Sequence, residues 1–223
     1  MNTDSLSVLY YSSGRERRDF EQRVIDNLLK VCGDLPIVSV TQYPLNLGEN
    51  ICVGDVGVSG FNMFRQVEIA LRHCRSRFVV SAEADCLYPP DYFYFTPERD
   101  DVCYRDSNLY VMPDARDYFF YKKEGATHAQ VVGREFYLET LTTLFRGAPQ
   151  WCTEEKNFPK ERWGKKDVFS KIEYFRTDNP VVQIKTHAGM RYYTHSERTP
   201  VYELPYWGLG KATRLYYLHG KRL

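Results

Sequence analysis

Residues 77–90, Arg-Phe-Val-Val-Ser-Ala-Glu-Ala-Asp-Cys-Leu-Tyr-Pro-Pro, restrict what this chain can fold into more than any other stretch. The apolar run from Phe78 to Ala82 has the length and β-branched content of a buried strand. It ends in two carboxylates separated by one residue, Glu83 and Asp85. Pro89 and Pro90 then prevent either regular structure from continuing. In open α/β sheets the carboxyl ends of strands border the ligand crevice. Acid-x-acid at such an end sets hard oxygen ligands where a divalent cation can meet a diphosphate.

The elements before it support that geometry. Leu6 to Tyr11 is rich in β-formers and reads as a first strand. Over residues 16–32, Phe20, Val24, Ile25, Leu28, Leu29 and Cys32 repeat at helical spacing until Gly33 stops the run. Pro36 to Thr41 reads as a second strand. A glycine-rich passage over 48–60 has no periodicity, and residues 61–74 form a second helix with Phe64, Val67, Leu71 and Cys74 on one face. This β-α-β-α-β order predicts parallel strands joined by helical crossovers. After Pro90 come short β-like pieces at 102–104, 109–112 and 118–121. Ala129–Val132 leads into a third helix at about 134–146, carrying Tyr137, Leu138, Leu141 and Phe145 on one face. Residues 148–180 read as irregular, and Val181–Ile184 as a last strand ending at Thr186-His187. The chain has 223 residues and no visible linker, so one α/β domain is expected, with a nucleotide-binding half over about 1–90 and an acceptor half over about 91–223.

Composition narrows the setting. Apolar residues make up 43% of the chain and aromatics 15%, which excludes a disordered protein. The opening residues lack a basic leader pattern, and no apolar run approaches the roughly 18 residues of a membrane span, so a cytoplasmic protein is expected. The six cysteines include no C-x-x-C, which favours reduced thiols over a disulfide frame or a structural zinc site. Neither a G-x-x-x-x-G-K-[ST] phosphate loop nor G-x-G-x-x-G is present, which argues against an ATPase or a dehydrogenase. Residues 151–223 hold 14 Lys/Arg against 8 Asp/Glu, while the first 150 residues carry a net −5. Such asymmetry suits an anionic partner, and equally an ordinary basic surface.

Five segments in this order carry a family resemblance: Val-Leu-Tyr-Tyr-Ser at 8–12, Pro-Ile-Val-Ser-Val-Thr-Gln at 36–42, Arg65-Gln66 ahead of Ala70-Leu71, Glu-Ala-Asp-Cys-Leu-Tyr-Pro-Pro at 83–90, and His187 with Gly189. The chain resembles the family-2-like glycosyltransferases of GT-A fold, small single-domain members without membrane segments. The resemblance implies an α/β fold, a GT-A-type Rossmann-like open sheet, mostly parallel and flanked by helices. It implies a nucleotide-sugar donor, UDP-linked, and Mn²⁺ or Mg²⁺ as cofactor. Asp85 would be a metal ligand and Glu83 would reach the ribose or the metal through water. His187 would complete the metal shell, with His195 as its rival, and Arg191 would bind phosphate. Tyr10, Tyr11 and Ser12 would form the nucleoside pocket, with Arg15 near base or phosphate and Gln66 on base or ribose. The base of an inverting transfer would be Glu154 or Glu155, in Trp-Cys-Thr-Glu-Glu at 151–155, with Asp167 and Glu135 as rivals.

The acceptor is read from residues 151–175, where Trp151, Phe158, Trp163, Phe169, Tyr174 and Phe175 interleave with six lysines and arginines. Aromatic platforms with cations suit sugar rings, and they suit single-stranded nucleic acid too. A carbohydrate, a small hydroxyl compound and a hydroxymethylated pyrimidine in DNA are therefore all candidates. Two other classes stand beside this reading: a nucleotidyltransferase, and a binding module on the same fold without a working base.

Overall fold

A computed structural model describes residues 5–123, 125–154, 167–188 and 196–222. The first strand, β1 (Leu6–Ser12), is buried along its whole length and lies in the interior of a seven-stranded sheet. Helix α1 (Arg18–Val31) returns the chain to β2 (Ile37–Thr41), which pairs parallel to β1. Strand β3 (Glu49–Cys52) adds a further parallel edge. Helix α2 (Gly60–His73) then crosses back to β4 (Phe78–Glu83), parallel to β1 on its other side. The expected β-α-β-α-β half is present. It also holds one strand more, because β3 sits inside the glycine-rich passage predicted to be irregular. Its Glu-Asn-Ile-Cys sequence is half-exposed and shows no alternation. Gly48 makes the tight return possible: at φ +57° it is left-handed, and a Cβ there would fall 2.2 Å from the Ile37 carbonyl oxygen.

The sheet is completed by β9 (Gln130–Gly133), β6 (Cys103–Asp106) and β10 (Ile172–Phe175), in the order β10-β6-β9-β4-β1-β2-β3. Strand β9 runs antiparallel to both neighbours and the other four pairings are parallel. Strand β10 lies within the stretch predicted to be irregular. A second sheet, β5 (Cys86–Leu87), β11 (Val181–Lys185), β7 (Leu109–Pro113) and β8 (Phe120–Tyr121), packs beside the first. Strand β11 is not the last element: the short strands β12 (Glu203–Leu204) and β13 (Gly208–Leu209) follow, then α4 (Gly210–His219).

Strand alternation divides the core. Val8 and Tyr10 of β1 face Ile25 and Leu28 of α1, while Leu9 and Tyr11 face Phe61, Phe64 and Val67 of α2. Helix α3 (Arg134–Leu144) adds Tyr137 and Leu141 on that second side. Each such side chain contributes about 1.5–3 kcal/mol on burial. Leu29, predicted on the buried face of α1, is instead 49% exposed, because the stripe follows Ile25-Leu28 and turns Leu29 outward. Among the described residues, no helix is long and apolar enough to cross a membrane.

Candidate active site

The ends of β1, β2 and β4, the start of α2 and the residues after β11 surround one cleft. Its lining includes Tyr11, Ser12, Arg15, Gln66, Glu83 and Asp85, so six residues singled out in the sequence converge there. Tyr10 does not line it. It is fully buried on the opposite face of β1 and donates to Glu21 Oε1 at 2.7 Å, so its ring fills the core under α1 instead of offering a stacking face. Arg191 and Glu155 lie outside the described residues, as does His195.

Asp85 is held by the second sheet. Gln183 of β11 pairs with Cys86 of β5, the Ile184 amide donates to the Asp85 carbonyl at 2.8 Å, and Gln183 Nε2 donates to Asp85 Oδ2 at 3.0 Å. Cys86 Sγ lies 3.2 Å from Asp85 Oδ1. Glu83, on the other side of Ala84, accepts from Tyr11 Oη at 2.6 Å. Burial, and then the charge of Asp85, push the Glu83 carboxyl upward, and the Tyr11 hydroxyl opposes them. Burial and the same two carboxylates push the Cys86 thiol up. Asp85 thus offers a carboxylate just past a strand end with a second carboxylate nearby. That donor set fits Mg²⁺ or Mn²⁺, hard ions that combine one or two carboxylates with phosphate oxygens. His187, expected as the second ligand, is an exposed side chain whose Nε2 lies 3.9 Å from Asp114 Oδ2. The following residue, Ala188, reaches the cleft.

Gln66 donates both amide hydrogens to backbone, at 3.0 Å to Ser12 and 2.8 Å to Val40. It thereby ties α2 to the ends of β1 and β2 and leaves its side-chain oxygen as an acceptor. The rim beside α2 is stitched in the same way. Ser59 caps the helix by accepting from the Asn62 amide and donates to the Cys152 carbonyl at 2.6 Å, while Asn62 Oδ1 accepts from the Cys152 amide at 2.7 Å. Gly57, part of the lining, packs so closely on Thr153 that a Cβ would meet Thr153 Cγ2 at 2.5 Å. Residues 151–154 therefore run along the rim of the cleft, and Glu154 is exposed there.

Glu16, Gln42, Ser59 and Met63 also line the cleft, though no sequence motif marks them as lining residues. Glu16 has the most chemistry. Both its carboxylate oxygens accept from Thr186 Oγ1, at 2.7 and 2.9 Å. Burial, helped by Asp85 and Glu21, raises it from the ordinary 4.5 to about 7, against Thr186 and Arg15. Within Arg15-Glu16-Arg17-Arg18-Asp19, nothing in the sequence separates it from its charged neighbours. A raised acid favours the folded state while protonated, so its contribution is complete below pH 4.5 and is lost as pH rises to about 7. Glu16→Gln, which keeps the neutral shape, should stabilise the metal-free protein at pH 8 by about 1–2 kcal/mol after allowance for solvent screening. At pH 4 it should change stability little. Thermal melts at the two pH values check this, and an equal effect at both would contradict it.

No family model matches the chain, and no curated protein matches it by sequence. Solved structures do. The inositol-1-phosphate CTP transferase from T. maritima is similar at a TM-score of 0.51 and 12% identity, over 83% of this chain and 91% of that one. The fold is the GT-A-type, Rossmann-like open sheet. At 12% identity the likeness is one of fold. A glycosyltransferase involved in glycosylation of the major capsid of PBCV-1 is similar at a TM-score of 0.45 and 9% identity, over 80% of this chain and 93% of that one. S. aureus TarS 1–349 in complex with UDP-GlcNAc is similar at 0.47 and 10%, over 85% and 62%. The chain spans 36% of the longer TarS structure and 50% of the bifunctional IspDF from Campylobacter jejuni.

Proposed function

We propose that this chain is a divalent-metal-dependent glycosyltransferase that moves a sugar from a UDP-linked donor to a hydroxyl acceptor with inversion. The observation that carries the reading is Asp85. Its carboxylate is fixed at the end of β4 in a cleft whose other walls are the ends of β1 and β2, the start of α2 and the chain after β11. Asp85 and His187, the latter from the β11 end, would hold Mn²⁺ or Mg²⁺, with Glu83 reaching the ribose or the cation through water. When bound, the cation supplies positive charge against the phosphates of the donor. Tyr11, Ser12 and Gln66 then serve the nucleoside, and Arg15 and Arg191 the phosphates. Glu154 or Glu155 takes the proton of the acceptor hydroxyl as that oxygen bonds to the anomeric carbon and the bond to the diphosphate breaks. The acceptor is a carbohydrate, a small hydroxyl compound or a hydroxymethylated pyrimidine in DNA, met by the basic and aromatic residues of 151–175 within one catalytic domain.

A second reading, nucleotidyl transfer, is favoured by the fold shared with the T. maritima CTP transferase. Against it stands the turn after β1, Ser12-Ser13-Gly14-Arg15, with one glycine where a triphosphate loop needs several. One experiment separates the two. The protein is incubated with Mn²⁺ and either nucleotide sugars or nucleoside triphosphates plus sugar phosphates, and the released product is identified. Glycosyl transfer, or hydrolysis of the donor by water, frees nucleoside diphosphate, whereas nucleotidyl transfer frees pyrophosphate. Pyrophosphate alone would overturn the proposal. Tight UDP binding with neither product would make the chain a binding module.

A further inference from the structure

Beneath the cleft, Glu83, Cys86 and His128 each offer a ligand atom, and the three atoms lie within 4.8 Å of one another. They come from the end of β4, from β5 and from the turn before β9. His128 is buried, and its Nε2 is a buried nitrogen without a hydrogen-bond partner among the described residues. Buried polar atoms left this way are rare and call for an occupant. The surroundings are built to keep the cluster together: Tyr88 Oη accepts from the Glu83 amide at 3.0 Å and donates to the His128 carbonyl at 2.8 Å, joining the backbones of two of the three residues through one buried hydroxyl.

We propose that Glu83, Cys86 and His128 form a site for a thiophilic divalent cation of the zinc class, distinct from the hard-cation position at Asp85. Imidazole nitrogen, cysteine sulfur and one carboxylate oxygen form a set that zinc takes readily, whereas Mg²⁺ and Mn²⁺ prefer oxygen. Tetrahedral bonds of about 2.0–2.3 Å would set the ligand atoms roughly 3.3–3.6 Å apart, so closure asks the side chains to draw in by about 1 Å. The motion is short: Cys86 Sγ turns from Asp85 Oδ1, and Glu83, which borders the cleft, offers the entry path. Binding releases the thiol proton to solvent and leaves Cys86 as thiolate, with no change of oxidation state. Lys122, Lys185 and Arg105 act on His128 from farther away, the first two also on Glu83, and the thiolate with Glu83 and Asp85 equals them in number while lying closer to the cation. Three protein ligands leave a fourth position open. The inference does not depend on which group the cleft transfers.

The test uses the reduced, metal-free full chain. Titration with Co²⁺ should give one equivalent bound with a sulfur-to-cobalt charge-transfer band, displaced by Zn²⁺ and not by excess Mg²⁺. Cys86→Ser should abolish the band. His128→Gln should weaken Co²⁺ binding by about ten-fold or more, and Cys52→Ser and Cys152→Ser should leave it unchanged. X-ray absorption at the zinc edge of the unaltered protein gives a readout that needs no variant, with one sulfur and an imidazole expected in the shell. No band in the unaltered protein, a band that survives Cys86→Ser, or a shell with no sulfur or more than one would overturn the proposal.

Discussion

Asp85→Asn is expected to remove the divalent-cation dependence of nucleotide binding. Calorimetry with UDP and Mn²⁺ should show affinity falling by about 10–100-fold, the worth of one charge-assisted contact. EDTA should reduce the unaltered protein to the same level. The substitution keeps the size of the side chain and replaces an anionic oxygen by an amide. The backbone contact from the Ile184 amide to the residue 85 carbonyl is untouched, and one of the two side-chain contacts, from Gln183 or Cys86, can still be made. The melting temperature should therefore move by no more than about 1 kcal/mol of stability implies. Equal UDP affinity with Mn²⁺ and with EDTA would end the metal role of Asp85. A uniform loss of stability would show that Asp85 is there to hold β5 against β11.

Much of this cleft was legible in the sequence, and the limits of that reading have physical causes. The acid pair was visible because a buried strand must end where its apolar run ends, and the carboxylates follow at once. Helices α1, α2 and α3 were visible because one face of each packs on a sheet, which imposes the helical period. Tyr10 and Tyr11 show what a strand withholds. Alternation sends them to opposite faces, yet nothing local says which face is core and which meets the cleft, and the structure gives the cleft to Tyr11. Strands β3 and β10 were missed because edge strands bury little: Glu173 and Tyr174 of β10 are exposed, so no period-2 pattern is imposed on them. The cluster of Glu83, Cys86 and His128 was invisible for another reason. It exists because β9 enters antiparallel beside β4 and carries the turn holding His128 with it. No spacing rule reports a partnership made by sheet order. Glu16 was hidden by its charged neighbours, since its environment comes from Thr186, at the far end of the chain's second sheet.

The same distance in sequence hides the pair with the largest expected effect on stability. Arg105 of β6 reaches Asp167 with two parallel bonds, Nη1 to Oδ2 at 2.6 Å and Nη2 to Oδ1 at 3.0 Å, and its Nε lies 3.3 Å from Gln130 Oε1 of β9. The arginine side chain is 5% exposed and the aspartate 24%. Asp167 also accepts from the Phe169 amide at 3.1 Å, so the pair ties the chain ahead of β10 to β6. Arg105→Met keeps much of the volume and leaves Asp167 a half-buried anion without its partner. That loss is expected to cost about 2–4 kcal/mol, toward the lower part of the range for broken buried pairs because water still reaches the aspartate. Arg105→Met combined with Asp167→Leu removes both charges and should recover most of the loss, since desolvating the ions offsets much of their attraction. Urea unfolding of the three variants measures the coupling directly. If the double variant were as unstable as the single one, the bond to Gln130 and the packing of the arginine stem would be the stabilising features, and the ion pair itself would contribute little.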